Sequence, residues 1–383
     1  MIPSREDGGR ALFGWLREMR DSQPVWVDSF GMHHVFRHDD VRAVLGDHQR
    51  FSSDRTRLMP QADGFGKGGI TMIDPPEHRR QRKLITAAFT PQSIAALEPR
   101  VGQIADELLD ALPGPEFDLV AELAYPLPVI VIAELLGVPA SDRDLFRAWS
   151  DRLMSLQVAD YADPALARTV AEAMAEMNDY LRGHCEQRRR EPRDDLLTRL
   201  VQAEVDGERL DPEQVVNTAS LILLAGHVTS TVMIGNTVLC LAGEPEAERK
   251  VRADPTLIPQ ALEESMRLRS PFMQAGRVTT TEIELSGTVI PANRFVMAWL
   301  LSANHDERHF DDPERFDLGR ALTGQLAFGH GVHYCLGAQL GRLEGRIALE
   351  RLLGRFSSIQ PGTPAFYESQ IFGVRTMPVR GAA

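Results

Sequence analysis

Cysteine is scarce in this chain of 383 residues: Cys185, Cys240 and Cys335 are the only three. No CxxC pair occurs, which leaves no zinc ribbon, and no CxxCH occurs, which excludes covalent c-type haem. Thiols without paired spacing suit a reducing cytoplasm better than a disulfide scaffold. Positive charge is short as well. Lys and Arg number 42 against 54 Asp and Glu, and the net charge of −12 argues against a general nucleic-acid binder. No Pro/Gly/Ser-rich linker, internal repeat or low-complexity tract divides the chain. The start, Met1-Ile2-Pro3-Ser4-Arg5-Glu6-Asp7, is polar and has neither signal peptide nor anchor, so a cytoplasmic protein is expected. Val215 to Gly243 contains no Asp, Glu, Lys or Arg, which invites a membrane reading. Asn217, Thr218, His227, Thr229, Ser230, Thr231, Asn236 and Thr237 interrupt it, and a fully buried central helix is expected instead, with no membrane contact.

What is present is mostly helical. Leu97, Val101, Ile104, Leu108 and Leu112 recur at helical spacing, which predicts a helix from Pro91 to Leu112. Further helices are expected over about 128–136, 142–156, 165–190 and 194–204, with Pro192 separating the last two. Asp211 caps the central helix, Pro212 suits its first turn and Gln214 completes a capping box. Strand-like runs occupy Val25–Val27, His34–Phe36, Gln274–Thr279, Glu282–Leu285, Arg294–Leu300 and about 371–379, with a small helix near Asp39–Leu45. Ala303 to Leu326 is a charged, aromatic meander of the kind that carries function.

The densest pattern is Phe328-Gly329-His330-Gly331-Val332-His333-Tyr334-Cys335-Leu336-Gly337, directly before a helix predicted over Ala338 to Leu353. A thiolate in a dry site needs backbone N–H groups aimed at its sulfur. Glycines at 329, 331 and 337 permit positive φ and close approach, and a helix N-terminus favours the anion. Thiolate ligation is one way of holding haem iron. The ordinary role of a lone cysteine is a small buried hydrophobe, as expected of Cys185 and Cys240. A zinc site from His330, His333 and Cys335 would lack a second ligand pair.

The loop resembles the haem-ligand signature of the cytochrome P450 family, Phe-Gly-x-Gly-x-His/Arg-x-Cys-x-Gly, with every position filled. Glu264-Ser265-Met266-Arg267 is similar to the family's Glu-x-x-Arg pair. Ala225-Gly226-His227-Val228-Thr229-Ser230 is similar to its oxygen-binding segment. The resemblance runs from about Asp74 to about Arg380. It implies the cytochrome P450 fold, mainly α with a minor β part and a long central helix over the haem. That fold is a single domain over 1–383, with β-rich parts at about 20–60, 274–300 and 358–383. The helical body covers about 74–272 and 335–355.

By the same resemblance, Cys335 is the axial ligand to the iron of haem b, within a loop shaped by Phe328, Gly329 and Gly337. His78, Arg82, Arg277 and His333 reach the haem propionates. Glu264, Arg267 and Arg320 form a buried structural support. Ala225, Gly226, Thr229 and Ser230 are the catalytic group: Gly226 lets the helix open, and Thr229 donates a hydrogen bond to dioxygen. Val228 departs from the family, which usually places an acid there to feed protons. Protons then have to come through water, through Thr229 and Ser230, or through a substrate hydroxyl. His227 projects about 100° from each neighbour and is not expected to donate. Substrate-facing candidates are Leu58, Met59, Phe65, Trp149, Leu153, Leu221, Leu224, Met273, Ala275, Ile371 and Phe372; each is apolar and could equally be core. Arg79, Arg80, Lys83, Arg342 and Arg346 would form a basic patch that steers an acidic ferredoxin. Gly341 and Gly345 interrupt a helix where relatives commonly carry alanine.

The expected activity is that of a monomeric monooxygenase. It inserts one atom of O2 into a C–H bond or alkene of an apolar secondary metabolite, with a polyketide macrolide as the leading scaffold. Electrons come from NAD(P)H through ferredoxin reductase and ferredoxin. Two alternatives stay open. Val228 keeps alive a haem-thiolate enzyme of another reaction type, such as peroxide-driven hydroxylation, phenol coupling or dehydration. A non-catalytic haem sensor or carrier is the other, against which Gly226 and Thr229 argue.

Overall fold

The computed structural model describes residues 2–58, 68–154 and 164–382. Its axis is the helix Pro212–Gly243. The capping box is formed: the Asp211 carboxylate accepts from Gln214 N at 2.9 Å, and the Gln214 side chain accepts from Asp211 N at 3.1 Å. A helix apolar on every face must be covered on every face. Helices Pro126–Leu136, Pro164–Arg190, Ile258–Leu268 and Ala338–Arg355 pack around it. Its most apolar 18-residue window is 78% buried, so the uncharged run is protein core.

The β part lies to one side. A five-stranded sheet runs in the order Val25–Val27, His33–Val35, Phe295–Ala298, Ala275–Thr279, Phe51–Ser52. Its parallel pair sets Val296 opposite His33, and the antiparallel pair beside it sets Val296 opposite Arg277. A second sheet, Ser358–Pro361, Pro378–Ala382 and Glu116–Asp118, ties the tail to the helical body. Helix Arg10–Ser22 was not expected, although Leu12, Leu16 and Met19 already mark its buried face at helical spacing.

The predicted helix over 91–112 is two helices, Pro91–Ala95 and Glu98–Asp110. Pro99 lacks the N–H needed to continue the first and occupies the opening turn of the second. Strand Glu116–Asp118 escaped the pattern because three residues carry no usable alternation. Asp211→Ala removes the cap that fixes where the central helix begins. A loss of about 1 kcal/mol is expected, read as a lower denaturation midpoint at unchanged m-value.

Candidate functional site

Two of the loop's three glycines take the conformation that excludes other residues. Gly329 and Gly331 have φ of 75° and 74°, and a Cβ on Gly331 would lie 2.8 Å from the Leu45 carbonyl oxygen. Gly337 differs: its φ is −84°, so it serves as the N-terminal cap of helix Ala338–Arg355 without a left-handed turn. Cys335 N donates to Phe328 O at 2.9 Å, which folds the loop around a half-buried sulfur. Burial pushes the thiol upward, and the N–H groups of Gly337 and Ala338 with Arg82 and Arg342 pull the other way. Those dipoles and cations suit a sulfur that is held as an anion by a metal.

Beside the loop sits a group of donors without a carboxylate to meet them. His78 is buried on helix Glu77–Ala88, and neither ring nitrogen has a hydrogen-bond partner among the described residues. Its ring lies 4.2 Å from that of His333, whose Nε2 meets Ser53 Oγ at 2.8 Å. Burial lowers the pKa of His78 to about 4 and that of His333 to about 3. Arg277, on strand Ala275–Thr279, is lowered to about 10 by burial and by Arg55. Among the described residues neither Arg82 nor Arg277 has an ion pair. The nearby acid, Asp74, is occupied by Ser52 Oγ and Ser53 N. Buried donors left without acceptors are costly. Two carboxylates of a bound group would answer them, so the set fits the propionates of a haem whose iron meets Cys335.

Glu264 and Arg267 are both wholly buried on helix Ile258–Leu268 and form a bidentate pair, with both hydrogen bonds at 2.8 Å. Arg320 joins them at 2.9 Å, as its place in the sequence suggests. Arg267 also donates to the carbonyls of Asn304 and Pro313, and Glu264 accepts from Asp317 N. The cluster therefore staples that helix to the meander that leads into the Cys335 loop.

On the central helix, Leu221, Ala225 and Thr229 stay half-buried at i, i+4 and i+8, and so share one face. The helix is continuous here. Thr229 Oγ1 donates to Ala225 O at 2.8 Å, and the helix runs unbroken through Gly226, where the opening was expected beside bound dioxygen. Gly226 has another cause: a Cβ there would lie 2.6 Å from Ile132 Cδ1, so glycine lets helix Pro126–Leu136 approach. His227 is buried between Ser150 Oγ and Leu223 O, pointing away from Thr229's face. Val228 packs with Leu224, Val232 and Ile371.

An acid does reach the next residue. Ser230 Oγ donates to Glu344 Oε2 at 2.6 Å, and Glu344 is wholly buried with Oε1 unpartnered. Burial raises this carboxyl to about 8, so it is mainly neutral at pH 7. Sequence reading missed it. The signal was a glutamate between Leu340, Leu343, Ile347 and Ala348, on an otherwise apolar helix face.

The substrate candidates separate. Leu153 packs onto the Leu224–Val228–Ile371 cluster, as does Phe272, which the sequence did not single out. Ala275 is half-buried against the sheet's own core, and Leu58 is exposed. Met59 and Phe65 lie outside the described residues. Three candidates are core instead. Trp149 stacks on Phe146 and meets Tyr180 edge-on, and its indole N–H donates to Glu176 at 3.0 Å. Met273 and Phe372 join Leu12, Leu16, Phe36 and Trp299. Successive residues of extended chain face opposite ways, so Ile371 meets the central helix and Phe372 turns from it. The basic patch is largely neutralised by this acidic chain: Arg80 pairs with Glu77, Lys83 with Asp206, Arg342 with Glu263, and Arg346 with Glu98. Arg79 alone of the five has no ion pair among the described residues.

Glu264→Gln keeps a hydrogen-bonding shape but leaves two guanidiniums without an anion. A loss of about 3–5 kcal/mol is expected in urea denaturation, since an unmatched buried charge remains.

Comparison with known proteins places this geometry in a family. The chain is 47% identical over 375 residues to the erythromycin C-12 hydroxylase of Saccharopolyspora erythraea, covering 96% of this chain and 94% of that protein. It is 44% identical to the cyclomarin C epoxidase CymV of Salinispora arenicola, covering 94% and 93%. Among solved structures, ligand-free cytochrome P450 TbtJ1 matches at 72% identity with TM-score 0.93, covering 100% of both chains. A mutant of P450 EryK in complex with erythromycin B matches at 46% identity with TM-score 0.94, covering 100% of this chain and 98% of that one. The family profile for cytochrome P450 matches residues 22–377, and with relatives that are hydroxylases and epoxidases, this chain belongs to the cytochrome P450 family of haem-dependent monooxygenases.

Proposed function

We propose that the protein is a soluble, cytoplasmic, monomeric monooxygenase built as one domain, with haem b on Cys335. It hydroxylates or epoxidises an apolar secondary metabolite of macrolide-like size, drawing electrons from NAD(P)H through ferredoxin reductase and ferredoxin. The observation that carries the reading is the donor set beside the Cys335 loop, where His78 has no hydrogen-bond partner and Arg82 and Arg277 have no ion pair among the described residues. The relatives that act on erythromycin and cyclomarin C support the choice of substrate class.

The haem, when bound, supplies O2 activation and oxygen-atom transfer. The protein's own groups do the rest. Gly337 and Ala338 N–H groups favour charge at the sulfur, and His78, Arg82, Arg277 and His333 would hold the propionates. The half-buried Leu221 and Leu153 offer apolar surface to the substrate near Thr229, backed by the buried Leu224 and Ile371. Thr229 Oγ1 can turn from Ala225 O to donate into the cleft. Glu344 holds a proton at its carboxyl; Ser230 Oγ, which donates to Oε2, would have to turn and accept that proton before passing its own toward the Thr229 face. This route stands in for the acid that Val228 replaces.

Reduction of the haem-loaded protein under carbon monoxide should give the absorption band of a thiolate-ligated complex; the band of a histidine-ligated globin would end the reading. Titration with macrolides should displace iron-bound water, with spectra that saturate. Thr229→Ala should raise the peroxide released per NAD(P)H oxidised, and unchanged coupling would remove that hydroxyl from the mechanism. Turnover on H2O2 alone, equal to that with ferredoxin, would put a peroxide-driven hydroxylase in its place.

Glu344 also has a stability signature. Its carboxyl is raised to about 8 from an ordinary 4.5, so the unfolded chain loses its proton first as pH rises. Burial then costs about 1.4 kcal/mol per pH unit across that window and no more above it. Glu344→Gln removes the titration. Its gain in Tm over the parent should widen between about pH 5 and pH 8 and then level off. A constant difference would mean that Glu344 is already ionised in the folded protein, and no proton reservoir.

A further inference from the structure

The first residues of the chain belong to no part of the site, yet they are firmly tied down. Arg5 is buried, and its backbone N donates to Glu368 Oε1 at 3.0 Å. Its guanidinium donates to the Glu368 carbonyl and lies 3.8 Å from the carboxylate, which Ser4 Oγ also reaches at 3.3 Å. Three residues on, Gly8 O accepts from Arg269 at 3.1 Å. Arg269 has no ion pair among the described residues. Its guanidinium carbon lies 5.5 Å from the Phe366 ring centroid and 4.6 Å from that of Phe372. Gly8 and Gly9 have φ of 77° and 94°, and a Cβ on them would stand 3.1 Å from Phe366 Cζ and 2.6 Å from Phe372 Cζ. Glycine both makes these turns and lets the chain lie against the two rings. Residues 4–9 therefore grip one face of the segment Phe366–Phe372 at both ends and in the middle.

The other face of that segment meets the central helix. Tyr367 and Ile371 pack with Leu224, Val228 and Val232, the cluster that Leu153 also joins. Tyr367 and Val228 have a second set of neighbours: both line a small pocket with Tyr125, Arg147, Asp151 and Thr231. Arg147 and Asp151 are exposed, so the pocket lies toward solvent, and Tyr367 and Val228 form the partition behind it. Between strands Ala365–Phe366 and Val374–Thr376 the segment makes few backbone bonds, such as Tyr367 N to Gly373 O and Phe372 N to Pro271 O. A stretch with so little regular pairing takes its position from what it is tied to.

We propose that residues 4–9 latch the segment Phe366–Phe372, and that Tyr367, held by this latch, closes a passage from the surface pocket to the apolar cleft near Thr229. Release of Glu368 lets Tyr367 swing out, and the pocket then joins the cleft. The passage serves apolar molecules too large to slip past a closed Tyr367, since Leu153, Val228 and Ile371 bound its inner end. The proposal rests on the reading of that cleft as the substrate site over the haem.

The test is stopped-flow binding of two azoles to the full-length, haem-loaded protein, followed by the shift of the haem spectrum. Imidazole is small enough to enter with the partition closed; clotrimazole, with three phenyl rings, is not. Glu368→Ala should raise both the association and dissociation rates of clotrimazole about fivefold, the size of a partly exposed ion pair, and leave imidazole unchanged. Tyr367→Ala removes the plug itself and should give the same acceleration. Adding Glu368→Ala to it should then change nothing, because both act on one step. A fold that is merely looser would speed both azoles, or add to the effect of Tyr367→Ala. Either result, or unchanged clotrimazole rates, overturns the proposal. Should Glu368→Ala fail to fold, Glu368→Gln, which keeps an acceptor for Arg5 N and drops the charge, decides by the same comparison. A parent whose spectrum imidazole does not move brings down the haem reading itself, and a parent that responds leaves any failure with the latch.

Discussion

A thiolate buried against a porphyrin carries charge that water cannot reach, and the protein has to compensate it with its own dipoles and cations. That requirement accounts for the loop more fully than any single contact in it. Gly331 must pass close under the Leu45 carbonyl, so only glycine fits. The helix Ala338–Arg355 must start at Gly337, so that two of its unsatisfied N–H groups face sulfur. Phe328 must be held, and a meander with little regular structure cannot do that alone. The Glu264–Arg267–Arg320 cluster supplies the rigidity by tying backbone carbonyls of that meander to a helix. A buried ion cluster is poor evidence for stability, since apolar residues often do as well. Here its product is geometry.

The central helix shows the same trade in another form. It is buried on nearly all sides, and its function lies in the narrow strip that is not. Thr229 lies on that strip and Ser230 is one residue off it, turned toward Glu344. A neutral carboxyl in an apolar interior lowers stability at neutral pH. A structural residue at position 344 would more simply be leucine, like its neighbours at 340 and 343. That an acid persists where it costs stability, beside a segment whose usual acid is valine, is the argument for a proton role at this position.

Much of this was legible in the chain itself. The capping box at Asp211, the Glu264 to Arg320 cluster and the Cys335 loop each depend on residues close in sequence or joined by a strong motif. Trp149, Met273 and Phe372 were not legible, because an apolar side chain reads alike whether it faces a cleft or a core. The break at Ala96–Leu97 came from Pro99 three residues into an otherwise regular apolar repeat. The basic patch looked positive because sequence spacing does not display partners such as Asp206 or Glu98, more than a hundred residues away from Lys83 and Arg346. Glu344 was hidden for a related reason: its partner Ser230 lies 114 residues earlier.

Gly345 links these features mechanically. A Cβ there would stand 2.7 Å from Met233 Cε and 2.9 Å from Leu262 Cδ2, so three helices meet at a residue with no side chain. Gly341, one turn earlier, brings a would-be Cβ only to ordinary contact with Ser230 Oγ at 3.6 Å, and carries less of the constraint. The Ser230–Glu344 hydrogen bond and the Glu263–Arg342 pair each bridge two of those three helices. Their lengths therefore depend on how closely the helices pack at Gly345. A side chain that pushed the junction apart would lengthen the Ser230–Glu344 and Glu263–Arg342 contacts together. The glycine that weakens the Cys335 helix by propensity is thus what allows that helix to serve both.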